Sequence, residues 1–324
     1  MTHLNKKARL VFFGTPEFAA SQLNAIVEAG HAVLAVVTAP DKPAGRGKKI
    51  RQSAVKALAQ ELELEVLQPT NLKDPDFVKH LDKLAAEIFV VVAFRMLPKL
   101  VWELPPLGTF NLHASLLPDY RGAAPINHAI MNSETLTGLT TFFINEKIDE
   151  GAIILQRELE IGPTENAGSL HDRMMLAGNA LVVETLELIL SNETEVQIQE
   201  LTGDDKLAPK IFKEDCAIRW GKPIYKVYDQ IRGLSPYPTA YTDLINEDSR
   251  ELRVKVFEAA IEEGRPRESV LSLLTDNKTY LKVALADGYL HLLKIQFPGK
   301  KPLETVEILK GFKFDGKWQV KNDL

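Results

Sequence analysis

The stretch Ala8–Val37, ARLVFFGTPEFAASQLNAIVEAGHAVLAVV, decides the fold. Ala8–Phe13 is a short strand-like run that stops at Gly14. Pro16 then stands where a helix can start, and Phe18, Leu23, Ile26 and Val27 form a helical apolar stripe that ends before Gly30. Ala32–Val37 is a second apolar run with no polar alternation. Apolar strands joined by a helix are the pattern of a parallel sheet covered on both faces.

Outward from this unit the alternation continues. A turn-rich loop, Ala39–Ser53, leads to predicted helices at Ala54–Leu62 and near Phe77–Leu84, then to strands Ile88–Val92 and Gly108–Leu112. A helix near Pro125–Met131 precedes two longer β segments, Leu139–Ile144 and Ala152–Leu159, and a long helix over about Ser169–Leu190. Ser191–Pro209 is polar and poor in bulky apolar residues, which predicts a linker. Beyond it lie a helix near Pro223–Ile231 and short strands at Thr239–Leu244, Arg253–Ala260, Ser269–Leu274, Tyr280–Ala284 and Tyr289–Gln296, a pattern that predicts a small β-barrel. The expected α/β architecture is therefore a Rossmann-like domain over residues 1–190, a linker over 191–209 and a barrel over 210–324. The length of 324 residues suits two domains.

Composition narrows the function. Lys plus Arg number 39 against 44 Asp plus Glu, a net charge of −5, which excludes a uniformly basic nucleic-acid coat but not a local basic patch. The single cysteine, Cys216, cannot form an internal disulfide or a cysteine zinc site, so a reducing, cytoplasmic setting is expected. The longest uninterrupted apolar run is Ile88–Phe94, far below the ~20 residues that span a bilayer, so no membrane association is expected. The first strand-to-helix turn, Phe13-Gly14-Thr15-Pro16-Glu17-Phe18, has one glycine where a dinucleotide pyrophosphate needs several, which argues against NAD or FAD. Gly45-Arg46-Gly47-Lys48-Lys49 lacks Walker A spacing, and neither H-E-x-x-H, C-x-x-C nor G-x-S-x-G occurs. No metal is expected.

The most informative segment is Gly108–Ile126, GTFNLHASLLPDYRGAAPI. Alternate residues of a strand share a face, so Asn111 and His113 point one way and Phe110 and Leu112 the other. They fall near the carboxyl end of a parallel strand, where open α/β sheets bind ligands. A carboxamide and an imidazole side by side there can hydrogen-bond one developing oxyanion. The pair alone is equally compatible with a satisfied histidine beside a turn cap. Ser115-Leu116-Leu117-Pro118 and Tyr120-Arg121-Gly122 form a loop able to shape a pocket edge. Asp149, in the turn-forming stretch Asn145–Gly151 (NEKIDEG), can orient His113 and pair with its charged form.

These blocks carry a resemblance. FFGTPEFAA (Phe12–Ala20), TAPDKPAGRGKK (Thr38–Lys49), LPKLVWELPPLGTFNLHASLLPDYRGAAPIN (Leu97–Asn127), IDEGAII (Ile148–Ile154) and GKKPL (Gly299–Leu303) resemble the folate-dependent formyltransferases, and along nearly the whole chain the methionyl-tRNA formyltransferase family. The resemblance implies transfer of formyl from 10-formyltetrahydrofolate, a co-substrate, to the α-amino group of methionyl initiator tRNA. It implies Asn111, His113 and Asp149 as the catalytic set, Ser115, Leu116, Leu117 and Pro118 as the folate-binding loop, and an OB-like C-terminal barrel for tRNA. One segment departs from the family: Ala93-Phe94-Arg95-Met96-Leu97-Pro98 stands where the family commonly reads A-Y-G-x-x-L-P, one residue shorter, with Arg95 in the glycine region. The Asp149 loop departs as well, with Lys147 and Glu150 where glycine and threonine are frequent.

Asp41–Lys56 holds Lys42, Arg46, Lys48, Lys49, Arg51 and Lys56 against Asp41, a local charge of +5. In the family this loop enters the acceptor end of tRNA, which implies Arg46, Lys48 and Lys49 as tRNA contacts, with Lys206, Lys210, Lys300 and Lys301 as further phosphate contacts. A monomer is expected. Two other functions compete: the same chemistry on another amine, such as glycinamide ribonucleotide or an amino-sugar nucleotide, and a non-catalytic tRNA-binding relative. The basic loop and the barrel weigh against the first, the intact Asn111, His113 and Asp149 against the second.

Overall fold

The structure is a computed structural model that describes residues 7–44 and 49–321. The chain forms two compact units. The first takes the chain as far as Gly122, then Thr137–Leu159 and His171–Leu207; the second takes Ala123–Leu136, Glu160–Leu170 and the chain from Ala208 onward.

The first unit is a seven-stranded sheet. Its strands in chain order are β1 (Arg9–Gly14), β2 (Ala32–Val37), β3 (Val66–Leu67), β4 (Ile88–Val92), β5 (Thr109–His113), β6 (Leu136–Phe143) and β7 (Ile153–Glu160), and their spatial order is β7-β6-β5-β4-β1-β2-β3. The pairs β1–β2, β1–β4, β2–β3 and β4–β5 are parallel, and β5–β6 is antiparallel. The apolar runs are buried on both faces, as continuous Val/Phe strands require: all five residues of β4 are buried. Strand order reverses at β1, so the crevice beyond the carboxyl ends of β1 and β4 is the switch point where such sheets take ligands. Gly14 ends β1 there because a Cβ would stand 2.6 Å from the Ala19 Cβ of the following helix, α1 (Glu17–Glu28).

Two features of the first unit escaped the sequence pattern. The two-residue edge strand β3 is too short to show periodicity. The basic loop contains an antiparallel hairpin, Lys42–Ala44 with Lys49–Arg51. The helix Ala167–Ser191 is long and apolar enough to cross a membrane, although no uninterrupted apolar run reaches that length. Its Met174, Leu181, Val182 and Leu186 are buried, and Gln22 of α1 donates to the Met175 carbonyl at 2.7 Å, which makes it a core helix of the sheet.

The second unit is a closed antiparallel barrel. Strands β8 (Ala240–Asn246), β9 (Glu251–Glu263), β10 (Ser272–Thr275), β11 (Leu281–Ala284), β12 (Gly288–Gln296) and β13 (Trp318–Val320) run in the order β9-β8-β13-β10-β11-β12, and β12 returns to β9. The 13-residue β9 pairs with both neighbours, and register shifts between Val256 and Ala259 bend it around the ring. Val254, Val256, Leu281, Val283, Leu290 and Leu292 fill the interior. The short β13, which completes the ring, was invisible in the sequence pattern. The helices Pro125–Met131 and Ile224–Leu234 both lie in this unit, where Asn127 donates to the Gly233 carbonyl at 2.7 Å.

Candidate active site

The site starts from β5. Leu112 packs toward the long helix, where a Cβ on Gly178 would come within 3.0 Å of it. Strand alternation therefore turns Asn111 and His113 to the opposite face, beside Val91 of β4, which pairs with Asn111. Asn111 is half-buried and His113 is 7% exposed. His113 Nε2 lies 2.9 Å from the Tyr120 carbonyl oxygen. A carbonyl only accepts, so Nε2 carries the proton and Nδ1 is the ring atom left for chemistry.

Asp149 Oδ2 stands 3.9 Å from that Nδ1, within ion-pair range of a protonated ring but too far for a hydrogen bond. The same oxygen accepts the Gly122 N–H at 2.9 Å. Tyr120, Gly122 and Asp149 all adopt positive φ, at 61°, 124° and 54°. For tyrosine and aspartate this conformation is costly and persists only where the surroundings enforce it. Gly151 is needed nearby for space, since a Cβ there would lie 1.6 Å from the Phe143 carbonyl oxygen.

The loop after His113 is tied to β6, whose Thr140 lies opposite His113. Thr140 Oγ1 donates to the Ser115 carbonyl at 2.6 Å and accepts the Leu117 N–H at 3.1 Å. Gln156 Nε2 adds bonds to the Leu117 carbonyl at 2.9 Å and to Thr140 Oγ1 at 3.0 Å. Ser115 is fully buried and donates to the Asp119 carbonyl at 2.6 Å. Of the four expected folate-loop residues, Ser115 and Leu117 thus hold the loop's shape, and Leu116 and Pro118 keep partial exposure. The peptide between Leu117 and Pro118 is cis.

The departing segment lines a cleft of about 720 Å³ with Thr70, Asn71, Lys73 and Lys99. Arg95 donates to the carbonyls of Pro69 and Thr70, so the residue standing in the glycine region braces one wall through backbone contacts.

The expected tRNA contacts fall in several places. Arg46 and Lys48 lie outside the described residues, and Lys49 is described only as backbone of the hairpin. The hairpin's base is pinned: Lys56 Nζ bonds Asp41 at 2.6 Å and Gln68 at 2.8 Å, and Ser53 Oγ caps the helix Ala54–Glu61. Those contacts hold the Asp41 carboxyl below its usual range. In the first unit, exposed Lys206 sits 5.9 Å from the Tyr120 ring. In the second, exposed Lys210 sits 5.3 Å from the Phe212 ring, and Lys300 and Lys301 are exposed in the turn after β12.

Sequence reasoning missed the supports of Asp149. Arg121, quoted only as part of the loop, bridges Glu150 Oε1 at 2.7 Å and Asp205 Oδ2 at 3.1 Å. Gln199 donates to the carbonyls of Asp149 and Gly151 at 2.9 and 2.8 Å. Neither pairing leaves a local sequence signal, because the partners are 84 and about 50 residues apart. Among the described residues no cluster of potential metal ligands occurs.

Comparison with known proteins bears on the family and the fold. The formyl transferase family matches residues 8–186, and the formyl transferase C-terminal domain matches residues 210–313. A methionyl-tRNA formyltransferase of Flavobacterium psychrophilum is 51% identical over 310 residues, 95% of this chain and 98% of that protein. One of Bacteroides fragilis is 48% identical over 319 residues, 97% and 98% of the two chains. Among solved structures, an N-formyltransferase of Helicobacter canadensis in complex with folinic acid and dTDP-3-aminofucose aligns with a TM-score of 0.67 at 20% identity, covering 91% of this chain and all of that one. HypX of Aquifex aeolicus in complex with tetrahydrofolic acid aligns with a TM-score of 0.62 at 17% identity, over 94% of this chain and 47% of that one. At such identities the structural matches speak for the fold.

Proposed function

The chain belongs to the methionyl-tRNA formyltransferase family, and from that premise we propose that it takes formyl from 10-formyltetrahydrofolate and that Asn111, His113 and Asp149 carry the transfer to the amino group of methionyl initiator tRNA. The observation behind the site assignment is the shared face of Asn111 and His113 at the end of β5, with the Asp149 carboxylate 3.9 Å from the histidine ring. The folates named for the two fold relatives support a folate donor.

An α-amine with a pKa near 7.7–8.0 is partly neutral at cellular pH and needs little activation. As it attacks the formyl carbon, negative charge grows on the formyl oxygen. The Asn111 amide N–H and the His113 imidazole stabilise that oxygen, a type of donor whose removal costs about 10²–10³ in rate. Asp149 pairs with the imidazolium and passes the proton lost by the amine toward N10 of the departing folate, directly or through water. Leu116 and Pro118, with the Ser115–Leu117 loop behind them, border the folate. Residues 1–190 serve the chemistry and residues 210–324 the tRNA, whose backbone meets Arg46, Lys48 and Lys49 and, further out, Lys206, Lys210, Lys300 and Lys301. The enzyme works as a cytoplasmic monomer, beside its charged-tRNA substrate.

Incubation with 10-formyltetrahydrofolate labelled in the formyl carbon and with charged initiator tRNA tests this. Label should appear on the methionyl amine, and Asp149→Asn should slow its appearance at saturating tRNA. Transfer to glycinamide ribonucleotide or an amino-sugar nucleotide in its place, or tRNA binding without any transfer, would refute the proposal.

A further inference from the structure

Residues 197–206 carry no motif, and their polarity reads as a connection between domains. The structure threads them past the candidate active site. Gln197 exchanges two backbone hydrogen bonds with Ile153, at 2.8 and 2.9 Å. Two residues later Gln199, 9% exposed, lays its amide Nε2 between the Asp149 and Gly151 carbonyl oxygens. Asp205, whose carboxylate is 6% exposed, then holds Arg121, and Arg121 holds Glu150. The strap therefore grips one turn twice, through Gln199 directly and through Asp205 by way of Arg121.

The turn it grips is the one that aims Asp149. With φ at 54°, Asp149 sits in the left-handed region, which aspartate tolerates better than most side chains but still enters at a cost. Two nearby carbonyls facing one donor repel each other once the donor is gone. Their separation would let the turn relax and swing the carboxylate away from Gly122 N–H and the His113 ring. At 3.9 Å from Nδ1, Asp149 has little distance to lose.

We propose that Gln199 is a positioning residue of the formyl transfer, fixing through its side-chain amide the left-handed turn that presents Asp149 to His113. The proposal rests on the roles assigned above to His113 and Asp149. Gln199 itself touches no reacting atom.

Four variants of the full-length enzyme, Gln199→Ala, Asp149→Asn, the two combined and Gln199→Glu, assayed by single-turnover formyl transfer, test it. Gln199→Ala should lower the rate at saturating tRNA by roughly 10–100-fold, the scale of a displacement near 1 Å, with the tRNA KM within about twofold. The protein should still be fully folded at the assay temperature, its melting temperature lowered by only a few degrees, as the loss of two hydrogen bonds from a buried side chain requires. In an Asp149→Asn background the same substitution should cost almost nothing, because its effect passes through that carboxylate. Gln199→Glu keeps the shape but puts an ionised acceptor against two carbonyls. Its rate relative to the parent enzyme should rise as pH falls and the new carboxyl regains a proton to donate.

An equal multiplicative loss from Gln199→Ala in both backgrounds, or a pH-independent ratio for Gln199→Glu, would mean a merely structural glutamine and overturn the proposal. So would an active parent and a slow Asp149→Asn enzyme alongside a Gln199→Ala enzyme at parental rate, which would leave the catalytic assignment standing. If Asp149→Asn were itself as fast as the parent, both would fall together.

Discussion

Buried polar groups in the barrel unit close on one another, whereas in the sheet unit several do not. Arg232 Nε donates to Asp229 at 2.7 Å and its Nη1 to the Glu165 carbonyl at 2.9 Å. Gln230 accepts from Arg219 N–H and donates to the Ala217 carbonyl, and the Trp220 indole N–H meets Thr242 Oγ1 at 2.8 Å. In the sheet unit, Gln22 Oε1, His31 Nε2, Arg121 Nε, Thr137 Oγ1 and Gln199 Oε1 are buried without a partner among the described residues, and no such side-chain atom occurs among the described residues of the barrel unit. Burial accordingly lowers the His31 pKa, with Lys7 adding to the shift. An unsatisfied buried group costs roughly 1–3 kcal/mol. Such costs persist where the surroundings are shaped for something besides stability, and two of the five atoms belong to the supports of the Asp149 turn. The barrel's polar interior secures its fold; the sheet's polar interior places groups.

That contrast predicts where substitutions register. Arg232→Ala leaves the 6%-exposed Asp229 charged and alone, which should remove about 3–5 kcal/mol of stability. A thermal melt would show the loss, while kcat well below the new transition stays near parental. A large fall in kcat at a temperature where the variant is folded would break the contrast from the barrel side. Asn111→Ala and His113→Ala should do the reverse, with kcat down about 10²–10³-fold, roughly 2.7–4 kcal/mol of transition-state stabilisation. Their tRNA KM should hardly move, and neither should the melting temperature of Asn111→Ala, at the half-buried position. Parallel loss of kcat and stability in both would place these residues in the fold rather than the reaction.

The same division explains what could be read in advance. The parallel sheet was legible because continuous apolar strands and a helical stripe are local signals, and Asn111 and His113 because two-residue periodicity fixes their shared face. The barrel was legible from its longer strands but not from the three residues of β13, which owe their extended form to pairing with β8 and β10. The supports of Asp149 were illegible for a related reason. Gln199 and Asp205 sit in a stretch whose composition says only that it is exposed and polar, and their partners are set by tertiary folding.

A smaller effect is expected from the basic loop. Arg46→Glu should chiefly raise the tRNA KM and leave kcat intact. For each phosphate that the variant no longer neutralises, the slope of log affinity against log salt should shrink by about 0.7–0.9. A salt dependence identical to the parent's would take Arg46 out of the interface.

The smallest effect concerns the barrel's surface pairs. Arg253 grips Asp243 with two bonds, at 2.8 and 2.6 Å, directly across the β8–β9 ladder, and its guanidinium lies 4.5 Å from the Tyr241 ring. The hydrogen bonds from Arg253 hold the Asp243 carboxyl below the usual carboxylate range, against the opposing effect of burial. Because the folded-state pKa is depressed, the stabilisation is complete above the unfolded-state value near 3.9 and is lost as pH falls through it toward the folded value. Arg253 is about half exposed, so solvent screening limits the pair to the ~0.2–1 kcal/mol of surface ion pairs. Asp243→Asn should therefore lower the melting temperature slightly at pH 6, and the difference should close as acid protonates the parent's Asp243 carboxylate. A difference that stays constant down to pH 2 would assign Asp243 a role in packing and not in charge, and would bring this exposed pair closer in kind to the buried Asp229–Arg232 pair than their exposures suggest.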